Sequence, residues 1–182
     1  MEALGTLYDL AFTAAPVDLT TAGFTGKRVA MANFEALDFV VQLGAAASGT
    51  EDVVLTPQQH IVETSGSPAG LKIRHFYVKS ATALAGTETW TQVFNTSDGT
   101  DPDATGFSGT INSTITLAGA TYAAKQCLVV IPVEATRLTV GSRYVSLNAG
   151  DPGSVSRLGA VLSVGHGMHV RRAAANQKAT LY

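Results

Sequence analysis

An all-β fold is predicted for this chain, and three observations predict it. Short apolar-alternating runs recur from about residue 29 to residue 172, with the period of two that marks a strand. Between them lie clusters of Gly, Ser, Thr, Asp and Pro, which turn a backbone each for its own conformational reason. Hydrophobic residues make up 46% of the 182 residues and charged residues only 14%, where about 25% is usual for a soluble domain. A chain of this length buries a full core as one domain. A surface so poor in charge fits burial against neighbouring subunits better than a free monomer coated in Lys and Glu.

The elements follow in order. Residues 1–26 are expected as an extended arm and residues 27–182 as the sandwich domain. Leu4, Leu7, Tyr8, Leu10 and Phe12 make the arm apolar, while Ala14-Ala15-Pro16 and Thr20-Thr21-Ala22-Gly23 interrupt any regular element. Such an arm should lie on its own domain or on a neighbour. In residues 37–43, Leu37, Phe39, Val41 and Leu43 share one side, the pattern of a half-buried strand. Residues 53–56 open a second strand that Pro57 confines to a sheet edge or a strand end. Residues 71–79 and residues 87–94 around Trp90 read as a third and a fourth, and residues 95–106 as an exposed loop.

Residues 107–117 alternate cleanly, with Phe107, Ile111, Ile115 and Leu117 on one side and Ser108, Thr110, Asn112, Thr114 and Thr116 on the other. β-branched hydroxyls keep strand propensity without charge, which makes Thr110, Asn112, Thr114 and Thr116 a candidate contact face. Residues 128–133 are apolar on both faces, as in a strand buried inside a sandwich, and residues 134–138 suit a single helical turn. Residues 143–149 and 158–164 read as a hairpin around Gly150-Asp151-Pro152-Gly153. In the second of these, Leu158, Ala160, Leu162 and Val164 share a face. Gly159, Val161, Ser163 and Gly165 leave the other nearly free of side chain, open to close approach by another layer. The sum is a β-sandwich, jelly-roll-like rather than immunoglobulin-like, since no Cys…Trp…Cys spacing is present.

Candidate chemistry is sparse. The net charge of −2 gives no clustered basic face for nucleic acid, and no apolar stretch approaches the ~20 residues that span a bilayer. Met1-Glu2-Ala3-Leu4-Gly5 carries an acid where a signal peptide carries bases, so no leader is expected. Cys127, inside Cys127-Leu128-Val129-Val130-Ile131, reads as a small buried hydrophobe. His166 and His169 have ligand-like spacing, but residues three apart on a strand point to opposite faces. No third carboxylate or Cys stands near this pair in sequence, so no metal site is expected, and the four histidines, His60 and His75 included, suit structural hydrogen bonding. Asp98, Asp101 and Asp103 lack the spacing of a calcium loop, and a solvated loop is the expectation.

No Gly-x-Ser-x-Gly elbow appears. Gly165-His166-Gly167 is not a dinucleotide fingerprint, and Glu35, Asp38, Glu51 and Asp52 have no partner that marks a glycosidase pair. The expectation is a protein that is not an enzyme and needs no cofactor. Trp90, Tyr77, Phe76 and Phe94 suit core positions, with a sugar-stacking platform as the alternative.

The run Met31-Ala32-Asn33-Phe34-Glu35-Ala36-Leu37-Asp38-Phe39-Val40-Val41-Gln42-Leu43-Gly44-Ala45 resembles the opening strand of small capsid cement (decoration) proteins of tailed bacteriophages. There, an Asn and an aromatic precede an apolar strand that ends in Gln-x-Gly. Gly49-Thr50-Glu51-Asp52-Val53-Val54-Leu55-Thr56-Pro57-Gln58 is similar to their following strand. Val133-Glu134-Ala135-Thr136-Arg137-Leu138 and Tyr144-Val145-Ser146-Leu147-Asn148-Ala149-Gly150-Asp151-Pro152-Gly153 are similar to their closing segments, and residues 158–167 to the last strand. The likeness covers about residues 29–172 as soft motifs in order, and the chain departs from it in the acidic loop at 95–106 and in Arg171-Arg172.

The resemblance implies a jelly-roll-like sandwich on the outer surface of the virion head, made in the host bacterial cytoplasm. Its implied partners are the major capsid protein and other copies of itself in a homo-oligomer such as a trimer, with no nucleic acid and no membrane. The expected contact residues are Leu4, Leu7, Tyr8, Leu10 and Phe12 of the arm, and Thr110, Asn112, Thr114 and Thr116. Arg171 and Arg172 would pair with acids on the shell. A phage tail or fibre component and a carbohydrate-binding module are the alternatives.

Overall fold

A computed structural model describes residues 8–20, 23–32, 34–48, 50–153 and 155–167. Over these the chain is mostly strand, in two antiparallel sheets with almost no helix. The strands in chain order are β1 (Asp9–Asp18), β2 (Phe24–Thr25), β3 (Val29–Ala30), β4 (Ala36–Leu43), β5 (Val53–His60) and β6 (Ala69–Gly70). They continue as β7 (His75–Ala81), β8 (Thr91–Phe94), β9 (Ile115–Leu117), β10 (Gln126–Glu134), β11 (Tyr144–Ala149) and β12 (Leu158–His166). The first sheet runs β1-β12-β4-β10-β7-β8; the second runs β2-β11-β5-β6, with β3 also on β11 and β9 on β5.

Period-two alternation decides which side of each strand turns inward. Leu37, Phe39, Val41 and Leu43 of β4, with Cys127, Val129, Ile131 and Val133 of β10, form the inner face of the first sheet. Val53 and Leu55 of β5, Ile115 and Leu117 of β9, and Val145 and Leu147 of β11 meet them from the second. This is the core. The helical turn expected at 134–138 is a 3-10 turn at Ala135–Arg137.

Of the segment expected as an arm, Asp9–Asp18 pairs along β12 and Phe24–Thr25 joins β11 in the other sheet. Residues 1–7 and 21–22 of it lie outside the described residues.

Several expectations are corrected. Pro57 does not end its strand: β5 runs through it between two neighbours. The carbonyl of Pro57 accepts from Leu71 N at 3.0 Å, so its missing N–H would point to the same side. There the partners of β9 stop at Leu55 and those of β6 start at Gln58, leaving a gap where no donor is needed. Residues 107–117 are not one strand; only Ile115–Leu117 is. Asn95 holds the earlier part, donating from Nδ2 to Asn112 O at 3.1 Å while its carbonyl accepts Asn112 N at 2.9 Å. The strands expected to start at 71 and 87 begin at His75 and Thr91.

β11 and β12 do not form a hairpin, because they belong to different sheets. The turn after β11 carries the chain across the sandwich, where the end of β1 captures it. Asp18 accepts Ser156 Oγ and Arg157 N, and Leu19 N donates to Arg157 O at 3.0 Å. Arg157, 2% exposed, then bridges to Gly44 O at 2.9 Å and Tyr122 O at 2.8 Å. The small-residue face of β12 is the inward one. A Cβ at Gly165 would lie 2.6 Å from the Phe34 ring, and one at Gly159 3.2 Å from Leu19.

Candidate functional site

With the small residues of β12 turned to the core, its apolar side faces outward. The registers then place Phe12, Leu162, Val40, Val130 and Tyr77 side by side on β1, β12, β4, β10 and β7. Leu10, Val164, Asp38 and Pro132 form the next row on one side, and Ala160, Gln42, Leu128 and Lys79 the row on the other. At the usual strand spacing the central row is about 19 Å long. Phe12 is 63% exposed and Leu158, further along β12, 61%. Leu162, Val40, Val130 and Tyr77 are half-buried by one another.

The charges on this face are paired or stacked. His166 Nε2 lies 3.4 Å from Asp38 Oδ2, and Lys79 Nζ sits 4.9 Å over the Trp90 ring. Burial pushes the Asp38 carboxyl above the usual carboxylate range, and His166 opposes this only in part. A largely apolar surface with few solvated charges loses little on drying, so desolvation is the force available to a contact there.

The outer side of the second sheet differs. Asn148 Nδ2 donates to Gln58 Oε1 at 3.1 Å, and Asn148 Oδ1 accepts Gly26 N at 3.1 Å. His60 Nε2 lies 2.8 Å from Ser146 Oγ, with the residues 4% and 2% exposed. The pairing looks like a base beside a nucleophile. Yet both groups are buried, and among the described residues His60 Nδ1 has no partner to orient the ring. Burial, then the nearby Arg28 charge, pushes the His60 imidazole below its ordinary value.

The residues singled out from sequence scatter. Tyr8 is 39% exposed and Leu10 37%; Leu10 and Phe12 flank the outer face on β1, the last strand of its sheet. Leu4, Leu7, His169, Arg171 and Arg172 lie outside the described residues. Thr110, Thr114 and Thr116 are exposed and Asn112 half-buried, but no single strand aligns them. Asp98 and Asp101 turn to their own loop, accepting Thr100 Oγ1 at 2.8 Å and Asp103 N at 2.9 Å, and Asp103 pairs with Arg74. Among the described residues no group of His, Cys, Asp or Glu gathers as metal ligands would. Cys127 is fully buried, its thiol pushed up by burial. Phe76 points into the core while Tyr77 points out, so the aromatic cluster is divided between two faces.

Comparison with family models, with curated proteins and with solved structures finds no match to this chain. The apolar row is what sequence reasoning missed. The alternation in β12 was visible, but the side that faces the core depends on Leu19 and Phe34, which only the fold brings there.

Proposed function

We propose that this chain is a virion structural protein, a capsid cement protein that docks on the outer surface of a tailed-phage head. In this reading the sandwich is jelly-roll-like, works without catalysis, and braces neighbouring major capsid proteins. The observation that carries it is the outward apolar row Phe12–Leu162–Val40–Val130–Tyr77. The order of soft motifs along the chain supports the same reading.

Magnitude favours a lattice over a solitary partner. Three rows on five strands present roughly 400 Å2, which contributes about 10 kcal/mol gross. Association costs about 4–15 kcal/mol. One such contact is marginal alone and becomes effective when joined to others on a repeating surface.

The test is co-sedimentation with heads of the encoding phage, prepared free of the chain. Saturable binding that is lost in the folded Leu162→Ser variant supports the proposal. Binding to tails instead, or to neither, overturns it.

A further inference from the structure

A cleft of about 190 Å3 opens where the chain enters β7, beside the end of β10 and the 3-10 turn. Its charged lining is Lys72, Arg74 and Arg137 against Asp103 and Glu134, with the His75 ring beside them. Both acids are already engaged, Asp103 by Arg74 and Glu134 by Arg137 Nε at 3.1 Å. Among the described residues, no acid lies within ion-pair distance of Lys72. The cleft therefore carries a surplus of positive charge.

Arg74 is held in an incomplete arrangement. A guanidinium grips a carboxylate best through two parallel N–H bonds. Asp103 takes only Nη2, and among the described residues the buried Nε has no hydrogen-bond partner. Buried donors are nearly always satisfied. Asp103 itself is 69% exposed and comes from the loop at 97–106, where the Asp101 side chain, accepting Asp103 N, fixes its approach. Such an exposed acid is weakly held and readily replaced.

We propose that this cleft is a binding site for a carboxylate side chain on an acidic peptide segment of a partner protein, and that Asp103 occupies it as an internal stand-in. An entering glutamate would displace Asp103 and reach both Nε and Nη2 of Arg74, with Lys72 and Arg137 flanking it. Its methylene stem would lie along the half-buried Pro132, a contact that a free phosphate cannot use. The site borders the outer face of the first sheet at Pro132, but its peptide test stands or falls separately from shell docking.

The test is an amide chemical-shift titration of the full chain with a capped Gly-Glu-Glu-Glu-Gly peptide, its Gln counterpart and inorganic phosphate at matched ionic strength. The Glu peptide should shift residues 72–75, 100–104 and 135–137, and the Gln peptide should not. Asp103→Asn should tighten binding about 2–5-fold, the scale of one exposed ion pair. Arg74→Gln should weaken it about 10-fold or more, as loss of a charged hydrogen bond does. Arg137→Gln, at an exposed position, should weaken it without touching the core. Equal shifts with the Gln peptide, unchanged affinity in both arginine variants, or no tightening in Asp103→Asn would overturn the site. Tighter binding of phosphate would overturn its assignment to a carboxylate.

Discussion

Leu162 on β12 stands directly opposite Val40 on β4, and both face away from the core. Gly159 and Gly165 favour this arrangement, because the inner surface of β12 lacks a side chain where Leu19 and Phe34 lie against it. The larger residues of the strand are left outside, where they join Phe12 and Val130.

Docking and folding should therefore separate by position. Phe12→Ser is expected to change stability by less than about 0.5 kcal/mol, as at most exposed sites, while reducing attachment to heads. Phe39, with no exposure, is the control: Phe39→Ala should cost about 3–5 kcal/mol. Urea unfolding paired with co-sedimentation checks both.

The close approach under β12 makes a sharper demand. Gly165→Ala puts a methyl group against the Phe34 ring and should cost about 1–3 kcal/mol through overpacking. In the background of Phe34→Leu much of that cost should vanish, a non-additivity expected of residues in contact. A double-mutant cycle in urea measures it, and additive costs would contradict the contact.

Arg157 ties the crossover between the sheets to Gly44 and Tyr122 through their carbonyl groups. Arg157→Ala takes the donor from Gly44 O, while Tyr122 O keeps Lys125 N at 3.2 Å, and should cost about 1–3 kcal/mol. Removing an awkwardly buried guanidinium offsets part of the loss, so Arg157→Met should be milder than Arg157→Ala. The denaturation midpoints rank the two.

Acid should destabilise the fold in two windows. The Asp18 carboxyl is lowered to about 2, by hydrogen bonds from Ser156 and then Thr20, against an ordinary value of 3.8. Its contribution is present above pH 3.8 and is lost as pH falls through about 2. His60 is lowered by burial, so below its ordinary 6.5 the unfolded chain takes up the proton first and stability declines. Asp38, raised by burial, has the opposite sign: protonation relieves it. His60→Gln should flatten the fall in unfolding midpoint just below pH 6.5.

Much of the fold was legible where alternation is strict. β4 could be read from Leu37–Phe39–Val41–Leu43, and β10 as a strand from its apolar run at 128–133. Only Cys127, Val129, Ile131 and Val133 of β10 face the core, however, while Leu128 and Val130 are half-buried on the outer side. What failed were relations between distant residues. The run at 107–117 alternates as a strand should, but the Asn95–Asn112 bonds hold its first part off the sheet. The turn at 150–153 is real, yet its destination was set by Asp18, far away in sequence. Pro57 escaped the usual rule because its missing donor faces a gap between β9 and β6. The outward row could not be foreseen, since it requires knowing which strands are neighbours.

An electron-microscopy reconstruction of heads carrying the bound chain tests the docking claim most directly. The account predicts density for the sandwich on the outside of the shell, with Phe12, Leu162 and Val130 buried against shell protein. Density in which that sheet faces solvent and the Asn148–Gln58 side meets the shell would contradict it, as would heads that carry no such density.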